Sequence, residues 1–392
     1  MKQTSRIIST YSADTFGVCS ALFELGGMTV MHDASGCNST YTTHDEPRWY
    51  DMDSMVFISA LSEMEALMGD DEKLIGDIAA AAKELGPKFI ALCGTPIPAM
   101  TGFDYEAAAR VIERETGIPT MGFATTGMNT YVQGASMALE ELARRFVRED
   151  VTKTEEPSVN ILGLTPLDFS VNGTDGSIAE FLEQEGFAVL SRWAMGSSLE
   201  EISRAGGAHV NLVVSASGLA AAKVLQSRFG TPWVAGVPYG GVFAGVLAKA
   251  LRAGTGPVLP ELPGEDIVII GEGVASVSLA RAIELQTGRS ARVLCPTECD
   301  PALLRKKDRL CRFEEKLEAE LQTAKTVIAD PMFRPICPAG VHFVELPAES
   351  CSGRIYRDRI PDLVKDFPEF LRNLSVGTGH APSLRDTILI DL

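Results

Sequence analysis

Residues 28–37, MTVMHDASGC, join a short apolar run to a polar, glycine-containing turn that ends in a cysteine. An apolar run of this length is typical of a buried strand, and parallel sheets present their ligand-binding side chains where such strands end. The same alternation fills the first 150 residues: further strands are predicted at 56–60, 89–93 and 120–123, and helices at 71–85, 104–116 and 131–147. This pattern predicts an α/β domain built on a parallel sheet.

The alternation then repeats in two further units. In the second unit we predict strands at 158–164, 187–193 and 210–215, and helices at 177–185 and 198–205. In the third we predict strands at 266–270, 291–295 and 326–329, and helices at 274–286 and 312–322. The fold class is therefore α/β with three Rossmann-like parallel-sheet domains, residues 1–155, 156–262 and 263–355, and a C-terminal tail, residues 356–392, that packs back on earlier domains.

Composition limits the possible environments and partners. The chain has 392 residues, 45% of them hydrophobic, which is enough material for several cores. A net charge of -17 argues against nucleic acid as a partner, because such binding needs clustered Lys and Arg. No apolar run is long enough to span a membrane, so we expect no membrane association. Eight cysteines without a recognisable secretion signal predict a reduced, cytoplasmic protein.

Cys19, Cys37 and Cys93 give the strongest functional signal. Each is predicted to lie in a glycine-rich or strand-end turn, from which a thiolate can reach a shared metal cluster. Cys19 taken alone is interpreted as a small buried hydrophobe, the usual fate of a free cysteine. The spacing of the three matches no zinc finger or ferredoxin, so the fold would have to assemble the site.

Four motifs in a fixed order support a family resemblance. They are His32-x-x-x-Gly36-Cys37, the segment GDDEKL at 69–74, Cys93 followed by Thr95 and by GFD at 102–104, and Gly122-Phe123. With these motifs the chain resembles the nitrogenase component 1 superfamily, which includes nitrogenase molybdenum-iron protein subunits, dark-operative protochlorophyllide reductase subunits and cofactor-assembly scaffolds. The resemblance covers nearly the whole chain and is weakest after residue 290.

The resemblance implies an iron-sulfur cluster, of the 4Fe-4S or 8Fe-7S type, at a subunit interface. Cys19, Cys37 and Cys93 match the family's cluster cysteines, and His32 and Gly36 belong to the cofactor-binding turn. It also implies a nitrogenase iron-protein-like ATPase as transient electron donor. The partner subunit would be an identical chain or a component 1 paralogue, in a homodimer, heterodimer or heterotetramer.

Two departures from the family separate this chain from true nitrogenase. Ser215 stands where the family's cofactor cysteine belongs, and Leu346 and Pro347 occupy the region of its histidine, with His342 several residues too early. We therefore predict a nitrogenase-like reductase subunit whose substrate is not dinitrogen. The alternatives are a cofactor or cluster assembly scaffold of the same superfamily and a metal-free small-molecule binding protein.

Three further residues are weak catalytic candidates. His44 and Arg48 lie in a polar, aromatic loop after Cys37, where Arg48 would anchor an anionic group or simply be solvated, and Gln133 follows the strand at 120–123.

Two patterns in the third unit leave alternatives open. The segment Gly271-Glu272-Gly273-Val274-Ala275-Ser276 lies between a strand and a helix, as a dinucleotide-binding turn does, but it lacks the third glycine. We favour a structural turn. Cys295 and Cys299, with three cysteines downstream, are either a second metal site or ordinary turn and core cysteines.

Overall fold

The framework of the chain is three parallel sheets, each formed by its own part of the sequence. The computed structural model describes residues 6–7, 12–36, 38–69 and 71–376. Every pairing between its strands is parallel, as the alternation of short apolar runs and helices predicts. The prediction of an α/β fold with three parallel-sheet units is confirmed. The domain limits given above stay a prediction.

The first sheet has four strands in the order β2-β1-β3-β4. They are β1 Met28–His32, β2 Met55–Ile58, β3 Ile90–Gly94 and β4 Thr120–Phe123. The helices around them are α1 Asp14–Leu22, α2 Glu63–Met68, α3 Glu72–Leu85, α4 Pro96–Thr101, α5 Tyr105–Thr116 and α6 Tyr131–Arg145. β1 and β3 are buried along their full length, so the turns that follow them start from a fixed position.

The second sheet repeats this arrangement, with the strand order β6-β5-β7-β8. Its strands are β5 Ser158–Leu162, β6 Ala188–Arg192, β7 Val210–Val213 and β8 Trp233–Ala235. Its helices are α7 Pro166–Phe169, α8 Thr174–Gln184, α9 Leu199–Ser203, α10 Leu219–Phe229 and α11 Gly241–Ala253. No helix was expected at α10 or α11. α10 shows little difference between its apolar and polar faces, whereas α11 buries Phe243, Leu247 and Leu251 along one face, and this pattern was missed.

The third sheet has five strands in the order β11-β10-β9-β12-β13. They are β9 Ile267–Ile270, β10 Ala291–Cys295, β11 Arg309–Leu310, β12 Thr326–Ala329 and β13 His342–Glu345. Its helices are α12 Gly273–Thr287 and α13 Glu314–Leu321. Since the carboxyl ends of parallel strands in one sheet share an edge, the residues after β9, β10 and β12 lie along one edge.

α1 and α6 cross at backbone contact, which corrects the predicted environment of Cys19. A Cβ on Gly17 would lie 2.0 Å from the carbonyl oxygen of Tyr131, and one on Gly134 would lie 1.8 Å from that of Asp14. Only glycine permits so close an approach. Cys19 therefore lies in a buried helix rather than in a turn. Cys93 lies next to the carboxyl end of β3, close to where the predicted strand 89–93 places it.

The tail closes the molecule with α14, Leu363–Val376. Where one or two short helices were expected after residue 356, this helix packs on α8, and the hydroxyl of Ser177 hydrogen-bonds to the carboxylate of Asp362. The buried Phe367 of α14 belongs to the hydrophobic core that joins the second and third sheets. Across the described ranges, no helix combines the length and the apolar character needed to cross a lipid bilayer.

Candidate functional site

His32 holds the loop that leads to Cys37. Its Nδ1 lies 2.9 Å from the Ser59 hydroxyl, and its ring packs on Phe103 with centroids 4.6 Å apart. Burial lowers the pKa of His32 to about 4, so the ring is neutral at physiological pH. The Thr95 hydroxyl lies 2.8 Å from Oδ1 of Asp33, which ties the loop to the end of β3. These contacts give His32 a positioning role at the turn.

The turn itself is exposed and faces a large cavity. Gly36 is solvent-exposed, and a Cβ placed on it meets nothing within 4 Å. Ser35 is the residue of this turn with a left-handed backbone conformation, at φ 77°. The backbone at Gly36 has no positive φ, so its conformation does not require glycine. Asn38 donates to Oδ2 of Asp33 at 2.7 Å. Cys37 lies outside the described residues.

Cys19 and Cys93 form a buried thiol pair. Both have no exposed surface, and both belong to the apolar core of the first domain. Their side chains hydrogen-bond to each other, and the Cys93 Sγ also lies 3.6 Å from the carbonyl oxygen of Val30. Burial, and then the contact with Cys93, raises the pKa of Cys19 well above its usual value.

The predicted cluster needs Cys37 beside this pair, and Cys37 lies outside the described residues. The Cys19 and Cys93 thiols line neither of the cavities described below. Among the described residues, no three Cys, His, Asp or Glu side chains are grouped closely enough to hold a metal ion. The ligand set Cys19, Cys37 and Cys93 therefore stays a prediction that rests on the resemblance.

Arg48 lies in a neutralised cluster rather than at a ligand site. Its Nε donates to Glu46 at 2.6 Å, and one terminal nitrogen donates to Glu24 at 2.9 Å and to the carbonyl oxygen of Ala194 at 2.7 Å. The other terminal nitrogen donates to the backbone and hydroxyl oxygens of Ser20. All five N–H groups are thus engaged, so none is left for the predicted anionic group. The contact with Ala194 joins the first two domains.

Gln133 and His44 are the other two weak candidates. Gln133 is exposed near the start of α6 and lines neither cavity. His44 belongs to the helical turn Tyr41–Asp45, and its side chain is outside the described part of the chain.

A large outer cavity of about 1020 Å³ opens between the first and third domains. On one side it is lined by the loop of the Cys37 turn, through Asp33 and Asn38, and by Thr95 after β3. On the other side lie Arg312 and Glu314 near the start of α13. The predicted cluster turn therefore borders a cavity that both domains form.

A smaller inner cavity of about 110 Å³ lies where the three domains meet. Three carboxylates line it, and each follows a strand: Asp168 after β5, Glu272 after β9 and Asp330 after β12. Its described lining contains no Lys, Arg or His, and Cys351 is its one thiol. Ser350 and Cys351 also line the outer cavity, so they form a wall between the two.

Asp168 is held by hydroxyl groups alone. Its Oδ1 accepts from Tyr131, and its Oδ2 accepts from Thr165 at 2.8 Å. Burial raises the pKa of Asp168 to about 6, against the opposing effect of these hydroxyls.

Glu272 caps α12 from inside the same cavity. Its carboxylate accepts backbone N–H groups of Ala216 at 2.8 Å, Val274 at 3.1 Å and Ala275 at 2.8 Å. Burial, followed by the charge of Asp168, raises the pKa of Glu272 to about 7. The carboxylate occupies the helix N-terminus that a dinucleotide phosphate would need, which favours the structural interpretation of the glycine turn at 271–273.

Two sequence predictions about the cofactor region can be located here. Ser215 is fully buried and donates to the carbonyl oxygen of Gly163 at 2.6 Å, beside Asp168. Leu346 and Pro347 line the inner cavity, whereas His342 does not. The positions that differ from nitrogenase thus lie at or next to this cavity.

Cys295 and Cys299 form a second thiol pair. They hydrogen-bond to each other, and this contact together with burial raises the pKa of Cys299. Cys295 has no exposed surface. The described arrangement favours core and turn cysteines over a second metal site.

Our sequence analysis missed the carboxylates of the inner cavity. Asp168 and Asp330 each follow a predicted apolar strand within a few residues, and this was the available signal. Tyr131 begins the predicted helix at 131–147, and no motif marks Tyr131 or Tyr239 as a site residue.

The three parallel sheets and the cavity at their junction define a class of multidomain α/β proteins. Residues 15–284 match the family described as nitrogenase component 1 type oxidoreductase, and this chain belongs to that family. The structure titled "Nitrogenase Cp1 at pH 6.5" superposes with a TM-score of 0.71, covering 97% of this chain and 96% of that one at 14% identity. At that identity the likeness shows the fold.

Curated relatives have several functions. The chain is 25% identical over 179 residues to the nitrogenase iron-molybdenum cofactor biosynthesis protein NifE of Clostridium pasteurianum, covering 45% of this chain and 38% of that protein. It is 26% identical over 174 residues to one of the subunits of the light-independent protochlorophyllide reductase of Prosthecochloris aestuarii, covering 43% and 32%. It is 23% identical over 178 residues to the nitrogenase molybdenum-iron protein alpha chain of Methanosarcina barkeri, covering 44% and 33%. In these three matches the alignment spans about a third of the relative's length.

Proposed function

We propose that this chain is the substrate-reducing subunit of a nitrogenase-like oxidoreductase and that its substrate is an organic molecule bound in the inner cavity. The carrying observation is the chemistry of that cavity. It offers two carboxyl groups, Asp168 and Glu272, whose raised pKa values keep protons available near neutral pH. A reduction by electrons needs matching protons, and a buried carboxylic acid is a suitable donor.

The same lining argues against a nitrogenase-type metallocofactor. Histidine and cysteine are the side chains that hold such metals, and the described lining has no histidine and the single thiol of Cys351. Burial raises the pKa of that thiol well above its usual value. A neutral, single thiol supports organic substrate binding better than metal binding.

For electron entry we propose an iron-sulfur cluster at a subunit interface, served by an ATP-hydrolysing iron protein. Such a cluster supplies single electrons. We choose Cys37 as the cysteine that holds it, because Gly36 before it is exposed and Asn38 after it lines the outer cavity. The remaining ligands would come from a partner subunit.

An exposed apolar patch on the first domain supports a second component 1 chain as that partner. Met64, Leu67 and Met68 of α2, with Met100 of α4 and Met128, are each 68 to 80% exposed. α2 and α4 contact each other, so these side chains share one area of the surface. Contiguous exposed apolar surface of this kind marks an interaction site.

The test of this function is electron acceptance over many turnovers. The anaerobically purified protein is mixed with the iron protein of the same organism, ATP, a reductant and a small-molecule extract of the organism. We expect ATP-dependent oxidation of the iron protein to continue beyond one electron per cluster. A Cys37→Ala variant should lose it, whereas Gln133→Ala should retain it.

The competing function is an assembly scaffold, which the likeness to the cofactor biosynthesis protein NifE favours. A scaffold would take up iron but would stop oxidising the iron protein after one electron. A protein that contains no iron after anaerobic reconstitution would contradict both functions and would favour a metal-free small-molecule binding protein.

A further inference from the structure

We propose that the inner cavity binds a cationic nitrogen group, an alkylammonium or amidinium, of its ligand. This rests on the proposed function in one respect, since we take that ligand to be the substrate. The first observation is the charge of the cavity. Asp168, Glu272 and Asp330 surround it, and the described lining supplies no positive side chain to balance them.

These carboxylates are not paired with cations elsewhere in the described structure. Asp168 accepts from hydroxyl groups, and Glu272 accepts from backbone N–H groups. Asp330 accepts the N–H of Met332 at 2.9 Å and the N–H of Ala348 at 2.9 Å. Neutral donors orient a carboxylate without cancelling its charge, so the field in the cavity stays negative and a cation bound there is favoured.

An unpartnered hydroxyl group points to the same ligand. Tyr239 is only 6% exposed and lines the cavity, and its hydroxyl has no hydrogen-bond partner among the described residues. Burial, and then the charges of Glu272 and nearby acids, raises the pKa of Tyr239, so its hydroxyl stays protonated. The hydroxyl oxygen of Tyr239 can accept a hydrogen bond, and a ligand N–H in the cavity would supply the donor.

The ligand group is organic rather than an inorganic ion. The described residues hold no three-ligand metal arrangement. Apolar side chains, including Ile269, Leu279 and Leu363, complete the lining. A volume of about 110 Å³ admits a head of roughly four non-hydrogen atoms, since one water occupies about 30 Å³.

The test compares three probes of nearly equal size: propylammonium, propanol and propionate. Binding to the full chain at pH 7.5 is measured by saturation-transfer NMR titration. We expect propylammonium to bind at least tenfold more tightly than propanol, and propionate not to bind. Equal affinity for propylammonium and propanol would overturn the proposal without any variant.

Variants then locate the site. Asp168→Asn should weaken propylammonium binding at least tenfold, and Tyr239→Phe about threefold. The exposed Glu156→Gln is the matched control and should change nothing. Undiminished binding to a folded Asp168→Asn would overturn the proposal. The assay needs neither a cluster nor an iron protein, so its failure leaves the reductase function standing, and failure of electron acceptance leaves this binding result standing.

Discussion

The molecule contains two buried charged clusters that differ in their balance. Around Arg48, two carboxylates and a guanidinium make close ion pairs at 2.6 and 2.9 Å. Around the inner cavity, Asp168, Glu272 and Asp330 lie together and no cation lines the described walls. The two carboxylates of the first cluster share one cation and stabilise the fold through it, whereas buried carboxylates without a cation persist at a cost in stability and are typical of functional sites. Arg48 thus joins two domains, whereas Asp168, Glu272 and Asp330 line a cavity that has room for a ligand.

The largest change in stability is expected when the cation of the Arg48 cluster is removed. Arg48→Met leaves Glu46 buried without its partner, and this should lower the free energy of unfolding by about 4 kcal/mol. Urea unfolding measures it. The exposed Arg148, which pairs with Asp150 on the surface, is the matched control, and Arg148→Met should have little effect. Similar losses of unfolding free energy in the two variants would show that Arg48 does not stabilise the buried carboxylates.

Removing the charges of Asp168 and Glu272 should instead reduce the loss of stability that occurs as the pH rises. The raised pKa values of Asp168 and Glu272, about 6 and about 7, mean that the folded state binds their protons more tightly than the unfolded state. Their stabilising contribution is therefore full below about pH 4 and is lost as the pH rises through 6 and 7. The wild type should lose about 3 kcal/mol more than Asp168→Asn/Glu272→Gln between pH 5.5 and 7.5.

The measurement is urea unfolding at both pH values, with Glu156→Gln as control. Taking the difference from the variant cancels other titrating groups such as His32, whose lowered pKa changes stability in the opposite direction. An identical pH dependence of stability in the wild type and the double variant would show that folding does not raise the pKa values of the two carboxyl groups.

A third buried pair, which is uncharged, extends the comparison. Cys19→Ala should cost about 1 kcal/mol of unfolding free energy, because one sulfur is lost from the core. Because Cys19 lies in the apolar core and lines neither cavity, we expect the iron content after anaerobic reconstitution to be unchanged in Cys19→Ala and lost in Cys37→Ala. Loss of iron in both variants would support the three-cysteine ligand set.

The smallest effect is expected on the exposed face of α6. Gln133→Ala replaces an exposed side chain that lines neither cavity, so the unfolding free energy should change by less than about 0.5 kcal/mol. Thermal and urea unfolding check this. A larger loss of stability, or a loss of electron acceptance, would return Gln133 to the functional candidates.

The sequence predicted the sheets well because their strands are short, apolar and separated by turns. β1, β4, β10 and β12 have the predicted bounds. The inner cavity could not be predicted, because Asp168, Glu272 and Asp330 come from separate strands and are adjacent only after two domains pack together. Cys19 was misplaced in a turn because α1 is apolar on most of its surface and shows no helical contrast.

The wall formed by Ser350 and Cys351 has a consequence for how the two cavities communicate. A molecule in the outer cavity that displaces this wall changes the shape of the inner one, and the reverse is equally true. Thermodynamic linkage requires the two effects to be equal in size, so each occupant alters the affinity for the other by the same factor. In the proposed function, partner docking at the outer cavity and substrate binding at the inner one would then be two measures of a single coupling free energy.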